Sequence, residues 1–287
     1  MKKLFIVAFA ALGMLACSEG GKNTPDPVNP ATNGGVLSGK FSVSATTQVQ
    51  FSQGNLQYQA STKTWRFAEN QYDAIKDANM NISDTYSGWI DLFGWGTGNN
   101  PQRASEDNND YKYFTDWGVN AISNGGNKTN QWRTLTSDEW VYLFRSRYNA
   151  EKLFSLGIVN GTRGLIILPD NWTTPTGLVF NASTASGLIW WESNSEYYDE
   201  QKSHWNDNVY TVNEWSMMET AGAVFLPVAG YRKGTEKYYG NDGHYWSSTK
   251  KDANIAHNIH FYTNLITPKS TAYHYSGISV RLVQDVK

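Results

Sequence analysis

The sequence predicts an α+β fold of short strands, few helices and long loops, and three observations carry that expectation. The first is composition. Of 287 residues 14% are aromatic and only 17% charged, and 27 Asn and 25 Gly accompany a mean hydropathy of −0.53. So many turn formers beside so many strand-favouring rings read as short strands joined by tight turns. The second is one strong helix signal, beginning at Thr136. The third is a set of apolar runs at 164–169, 223–230 and 277–283 with no helical crossover read between them, which disfavours a doubly wound parallel sheet.

The elements follow in chain order. Lys2 and Lys3 precede an apolar run from Leu4 to Leu12, well short of the roughly 20 residues that span a bilayer, so residues 1–17 read as a signal peptide. The run closes on Met14-Leu15-Ala16-Cys17, which resembles a bacterial lipobox; the resemblance implies cleavage before Cys17 and lipid on its thiol. An ordinary cleaved secretory signal is the alternative. Cys17 is the sole cysteine, so the mature domain has neither a disulfide nor a thiol for catalysis. Residues 18–38, rich in Gly, Asn and Pro, have too little apolar surface to fold and read as a tether. Residues 39–287 are expected to form one domain.

Within it Phe41, Val43, Val49 and Phe51 alternate with polar residues, and Gly54-Asn55 signals a turn before Leu56-Gln57-Tyr58. Trp65-Arg66-Phe67 reads as a further strand, and residues from 88 to 130 as loop. Thr136 and Glu139 form a capping box, after which Trp140, Leu143 and Phe144 define one apolar helix face. The three late apolar runs supply the remaining strands.

Lys+Arg total 24 and Asp+Glu 26, a net charge of −2 that argues against a nucleic-acid partner. Glu106, Asp107 and Asp110 lack the spacing of a calcium loop. The acids Glu192, Glu196, Asp199 and Glu200 lie among Trp190, Trp191, Tyr197 and Tyr198, a composition that suits sugar binding or, less well, glycoside hydrolysis. His244, His257, His260 and His274 invite a zinc site, but residues three apart on a strand face opposite sides, so no metal is expected.

Trp132-Arg133-Thr134-Leu135-Thr136 with Asp138-Glu139-Trp140 resembles the WRLPT-x-x-EW segment of the formylglycine-generating-enzyme-like branch of the C-type lectin fold, with Leu-Thr in place of Pro-Thr. GAVFLPVAGYR, Gly243-His244-Tyr245-Trp246-Ser247-Ser248-Thr249 and Gly277 with SVRLV are similar to the C-terminal half of Bacteroidales lipoproteins with such domains, including retroelement-diversified ones. GKFSVSATTQVQFSQGNLQYQ extends the likeness to residues 39–287.

The resemblance implies a C-type lectin-like scaffold with a C-terminal display face. In diversified relatives adenines of Asn codons are randomised, and the Asn-, His-, Tyr-, Thr- and Ile-rich stretch between Trp246 and Val280 has the matching residue spectrum. The expected ligand-binding residues are His244, Tyr245, Lys250, Lys251, Asp252, Ile255 and His257, followed by His260, Tyr262, Asn264, Tyr273, His274 and Tyr275. Trp132, Trp140, Trp246 and Arg281 are assigned to the scaffold. No catalytic residue and no cofactor are expected, since formylglycine generation needs cysteine chemistry. The resulting expectation is a cell-envelope, outer-membrane lipoprotein, touching the membrane only through its anchor and binding an extracellular protein or glycan. The alternative is a glycan-binding accessory of polysaccharide uptake that stacks sugars on Trp190, Trp191 and Tyr198.

Overall fold

The computed structural model describes residues 34–186, 189–190, 203–238, 240 and 242–287. The signal segment, Cys17 and most of the expected tether lie outside them, as do residues 191–202. The tether as drawn from sequence runs too far. Val36 bridges Ser52, the Leu37 N–H donates to the Phe51 carbonyl at 2.9 Å, and Leu37 is buried, so this end of the segment already belongs to the domain.

The N-terminal part forms β1 (Phe41–Ser42), β2 (Gln48–Phe51), β3 (Leu56–Gln59), β4 (Thr64–Phe67) and β5 (Trp89–Ile90). In β2 Val49 and Phe51 turn inward and Gln48 and Gln50 outward, the period-2 pattern expected. The loop expected over 88–130 begins later than drawn, because Trp89–Ile90 pair with β3 as β5; from 91 to 132 the chain is loop, with 3-10 turns at Asn108–Tyr111 and Trp117–Val119. It is nevertheless packed, because Trp95, Trp117 and Trp132 are buried within it and two of them satisfy their indole N–H groups on carbonyls of Ser247 and Gly125.

After β6 (Arg133–Thr134) comes α1 (Ser137–Arg145), capped as the sequence predicts. Thr136 Oγ1 accepts from the Glu139 N–H at 3.2 Å, and the Glu139 carboxylate accepts from the Thr136 N–H at 2.8 Å. Trp140, Leu143 and Phe144 point into the main core against Phe41, Phe51, Phe154, Ile259 and Phe261. Each such burial contributes roughly 1.5–3 kcal/mol, which is what fastens the helix to the sheets.

Next come β7 (Phe154–Val159), β8 (Thr162–Ile167), α2 (Ser183–Ser186), β9 (Ile189–Trp190) and β10 (Val209–Tyr210). The β7–β8 hairpin turns on Asn160 and Gly161, at φ of 48° and 76°; both lie in the left-handed region that a two-residue hairpin loop demands. A helix unforeseen in the sequence, α3 (Val212–Thr220), precedes β11 (Val224–Pro227). Because β11 runs antiparallel to β8, the intervening helix does not make a parallel crossover. The remaining strands are β12 (Tyr231–Lys233), β13 (Glu236–Tyr238), β14 (Gly243–Lys250), β15 (Ile255–Tyr262), β16 (Leu265–Tyr273) and β17 (Leu282–Asp285).

Among the described residues the sheets are ordered β1-β2-β17-β6, β10-β7-β8-β11, β14-β15-β16-β9 and β4-β3-β5, with β12-β13 as a separate hairpin. The architecture is thus α+β, dominated by short antiparallel strands. The expected strand 277–283 is broken. Gly277, Ile278 and Ser279 make single bridges to Arg232, Phe93 and Tyr245, and a ladder begins only at Leu282. Trp132, Trp140, Trp246 and Arg281 are buried as a scaffold role requires, and Arg281 donates to the Gln71 side-chain oxygen at 2.8 Å. No helix among the described residues is long and apolar enough to cross a membrane.

Candidate functional site

The expected display residues fall on the meander β14–β15–β16. Its register is antiparallel throughout, with irregularities between Trp246 and Lys250 and between Asn258 and His260. The β14–β15 turn is held by Asp252, whose Oδ1 accepts from the N–H groups of Asn254 and Ile255 at 2.8 and 3.0 Å. Those bonds, the Asn254 N–H first, keep the Asp252 carboxyl below its ordinary range. Beneath the sheet, Ser248 and Ser137 tie β14 to the start of α1 through the Leu135 carbonyl and Thr249 Oγ1.

The thirteen residues do not form one face. Six gather at the tip of the β14–β15 turn. Lys250, Lys251 and Asp252 are exposed, Ile255 is the direct cross-strand partner of Tyr273, and Tyr273 stacks on Tyr275 with centroids 5.1 Å apart and planes at 6°. Tyr273 is 49% exposed. A flat aromatic pair, Tyr273 exposed and Tyr275 partly so, therefore stands at the end of β16, at the same end of the meander as the exposed lysines of the β14–β15 turn.

Three expected residues are inside instead. Tyr245 is fully buried; its hydroxyl donates to the Pro227 carbonyl at 2.8 Å and accepts from Asn55 Nδ2 at 3.0 Å, and burial pushes the phenol pKa up. His274 is fully buried and stacks on Trp95 at 4.4 Å, and desolvation pushes its imidazole pKa down. Asn264 is buried in the β15–β16 turn. None of the three can meet a ligand without unfolding its surroundings. His257 is half-buried beside the Ser270 carbonyl, on the opposite side of β15 from His260 as strand alternation requires.

His244, His260 and Tyr262 lie at the far end of the meander, about 25 Å from the tip by strand rise. His244 and His260 are direct cross-strand partners, and their rings stack at 4.3 Å and 5°. Asp242, absent from the sequence-derived set, completes a cluster. Its Oδ2 lies 3.0 Å from His244 Nε2 and 3.5 Å from His260 Nε2, and one ligating atom from each residue lies within 4.8 Å of the others. Burial opposes ionisation of Asp242, but the two imidazoles outweigh it and hold the carboxyl well below its usual range. Tyr231 packs edge-on to His244 at 5.7 Å. The expectation of no metal rested on the 257/260 pair, which does diverge; the pairing of 244 with 260 comes from hairpin register, invisible to single-strand alternation.

A separate open cavity of about 550 Å³ is lined by Gln57, Arg66, Tyr72, Asp73 and Trp89, among others, with the Arg66 guanidinium 3.9 Å above the Trp89 ring. Trp205-Asn206-Asp207 is a 3-10 turn with Trp205 buried and Asp207 Oδ2 2.6 Å from His204 Nδ1. The aromatic and acidic residues 191–200 lie outside the described residues, and of Trp190 only the backbone pairing with Ile266 is described. The chain matches no family model, no curated protein and no solved structure.

Proposed function

We propose that the protein is a ligand-binding domain of C-type lectin-like fold, tethered to the bacterial cell envelope through a lipidated Cys17, that captures an extracellular protein or glycan rather than catalysing a reaction. The observation that carries this reading is the Tyr273–Tyr275 stack, with Tyr273 exposed, at the end of the meander that also bears the exposed Lys250 and Lys251. Rigid aromatic rings provide contact area at low entropic cost, and such residues dominate binding energy where they cluster. The strand beneath them positions the pair before a ligand arrives, so less order has to be created on binding. Variation at the turn 250–255 leaves the core clusters untouched, which suits a diversified face.

The test is binding of the full chain to glycan and protein arrays, repeated with a Tyr273→Ala/Tyr275→Ala variant. Loss of the bound signal by about tenfold or more is expected, with stability within about 0.5 kcal/mol, the usual range for surface changes. Undiminished binding by the variant would refute the tip as the site; retention on glycans alone would move the reading to a separate sugar platform.

A further inference from the structure

We propose that Asp242, His244 and His260 form a binding site for a divalent first-row transition cation, zinc foremost, with one coordination position left open. This site stands apart from the tip of the meander and does not rest on the reading given to that tip.

The donor set comes first. Two imidazole nitrogens and one carboxylate oxygen suit zinc and its neighbours, whereas calcium and magnesium prefer shells built from oxygen. Geometry agrees. Tetrahedral zinc, with bonds of about 2.0–2.1 Å, separates its ligand atoms by about 3.3–3.4 Å. The carboxylate oxygen stands 3.0 and 3.5 Å from the two Nε2 atoms, on either side of that spacing. Side chains need only small rotations to close around an ion.

The scaffold is also preorganised. Asp242 and His244 are two apart along the chain at the entry to β14, so they share a face, and His260 stands directly opposite His244 on β15. His244 Nδ1 lies 3.4 Å from the side-chain amide of buried Asn258, which orients the ring from behind. Both imidazoles therefore aim the same nitrogen at the same carboxylate.

A purely hydrogen-bonded triad accounts for the geometry less well. Asp242 makes a good contact with His244, yet among the described residues Oδ1 of Asp242 and Nε2 of His260 are shielded from water and make no hydrogen bond. Polar atoms hidden from solvent are nearly always satisfied, and a cation held on Asp242 Oδ2 and the two imidazoles gives His260 Nε2 the partner it lacks. With three protein ligands the fourth position is free for water or a ligand group, the arrangement that distinguishes reactive from purely structural zinc sites.

The experiment uses the full chain without a polyhistidine tag, stripped with chelator and titrated with zinc chloride by calorimetry. Cobalt(II) serves as the optical probe. One equivalent of zinc should bind, zinc should raise the melting temperature, and cobalt should give the visible d–d absorption of a four-coordinate nitrogen and oxygen site. His244→Ala and His260→Ala should each weaken zinc by at least about a hundredfold, since even loss of an outer partner costs 10–100-fold. His257→Ala, on the other side of β15, should bind as the parent does. Absence of saturable zinc binding by the parent, or binding that survives His244→Ala/His260→Ala together, overturns the proposal. If a variant fails to fold, the cobalt spectrum of the parent decides alone: no four-coordinate spectrum, no site.

Discussion

Asp91 offers a quantitative check on how the interior is held together. It follows β5 and is fully buried, with Oδ2 accepting from the Ile75 N–H at 2.8 Å and Oδ1 from Asn79 Nδ2 at 2.7 Å. Asn79 returns the contact by accepting from the N–H groups of Asp91 and Leu92. Burial outweighs these bonds and the charge of Lys237, raising the carboxyl from 3.8 to about 6. Two units at 1.36 kcal/mol each amount to about 3 kcal/mol. The sign follows from proton counts. Between 3.8 and about 6 the folded protein retains a proton that the unfolded chain has released, so this group lowers stability as pH rises through that window. Asp91→Asn cannot titrate. Urea unfolding of both proteins at a series of pH values should therefore show their stability difference moving by about 3 kcal/mol in favour of the variant from about pH 4 to about pH 7, then levelling. Parallel curves, or a drift in the opposite direction, would refute a desolvated carboxyl at this position.

Two further outcomes follow from the packing. Tyr245→Phe removes a buried donor to Pro227 and strands the Asn55 amide, and should cost about 1–3 kcal/mol in urea unfolding while leaving array binding by the Tyr273–Tyr275 tip intact. Thr211→Ala removes the N-cap of α3, whose hydroxyl accepts from the Glu214 N–H at 3.3 Å. It should cost about 1 kcal/mol and quicken exchange of the Glu214 amide, read by nuclear magnetic resonance.

Elements that depend on local chemistry are legible from local signals. The Thr136/Glu139 box, the alternation through Phe51 and the apolar run ending at Leu168 each correspond to an element or buried segment seen in the fold. Two equally local signals pass unread in the expectations: the Thr211-x-x-Glu214 box that opens α3, and the Asn160-Gly161 hairpin turn. Both were legible. The candidate site was legible only in part, because which side of a strand is covered depends on distant partners. Tyr245 is hidden by Asn55 and Pro227, and His274 by Trp95, none of which is its neighbour in sequence. Likewise Asp242, His244 and His260 meet through the β14–β15 register, which period-2 alternation within either strand does not specify.

The position of β17 has a consequence for how the protein comes to be made. It lies between β2 and β6, pairing with β2 through Gln284–Gln50 and with β6 through Leu282–Thr134, so among the described residues two early strands of that sheet are joined through a late one. A ribosome delivers β2 and β6 long before β17. Until Leu282–Asp285 emerges, both strands wait with open edges, and such edges are where nascent chains pair wrongly with one another. Closure of this sheet is thus a late, non-local event, and a chaperone holding the early strands apart would protect the interval before it.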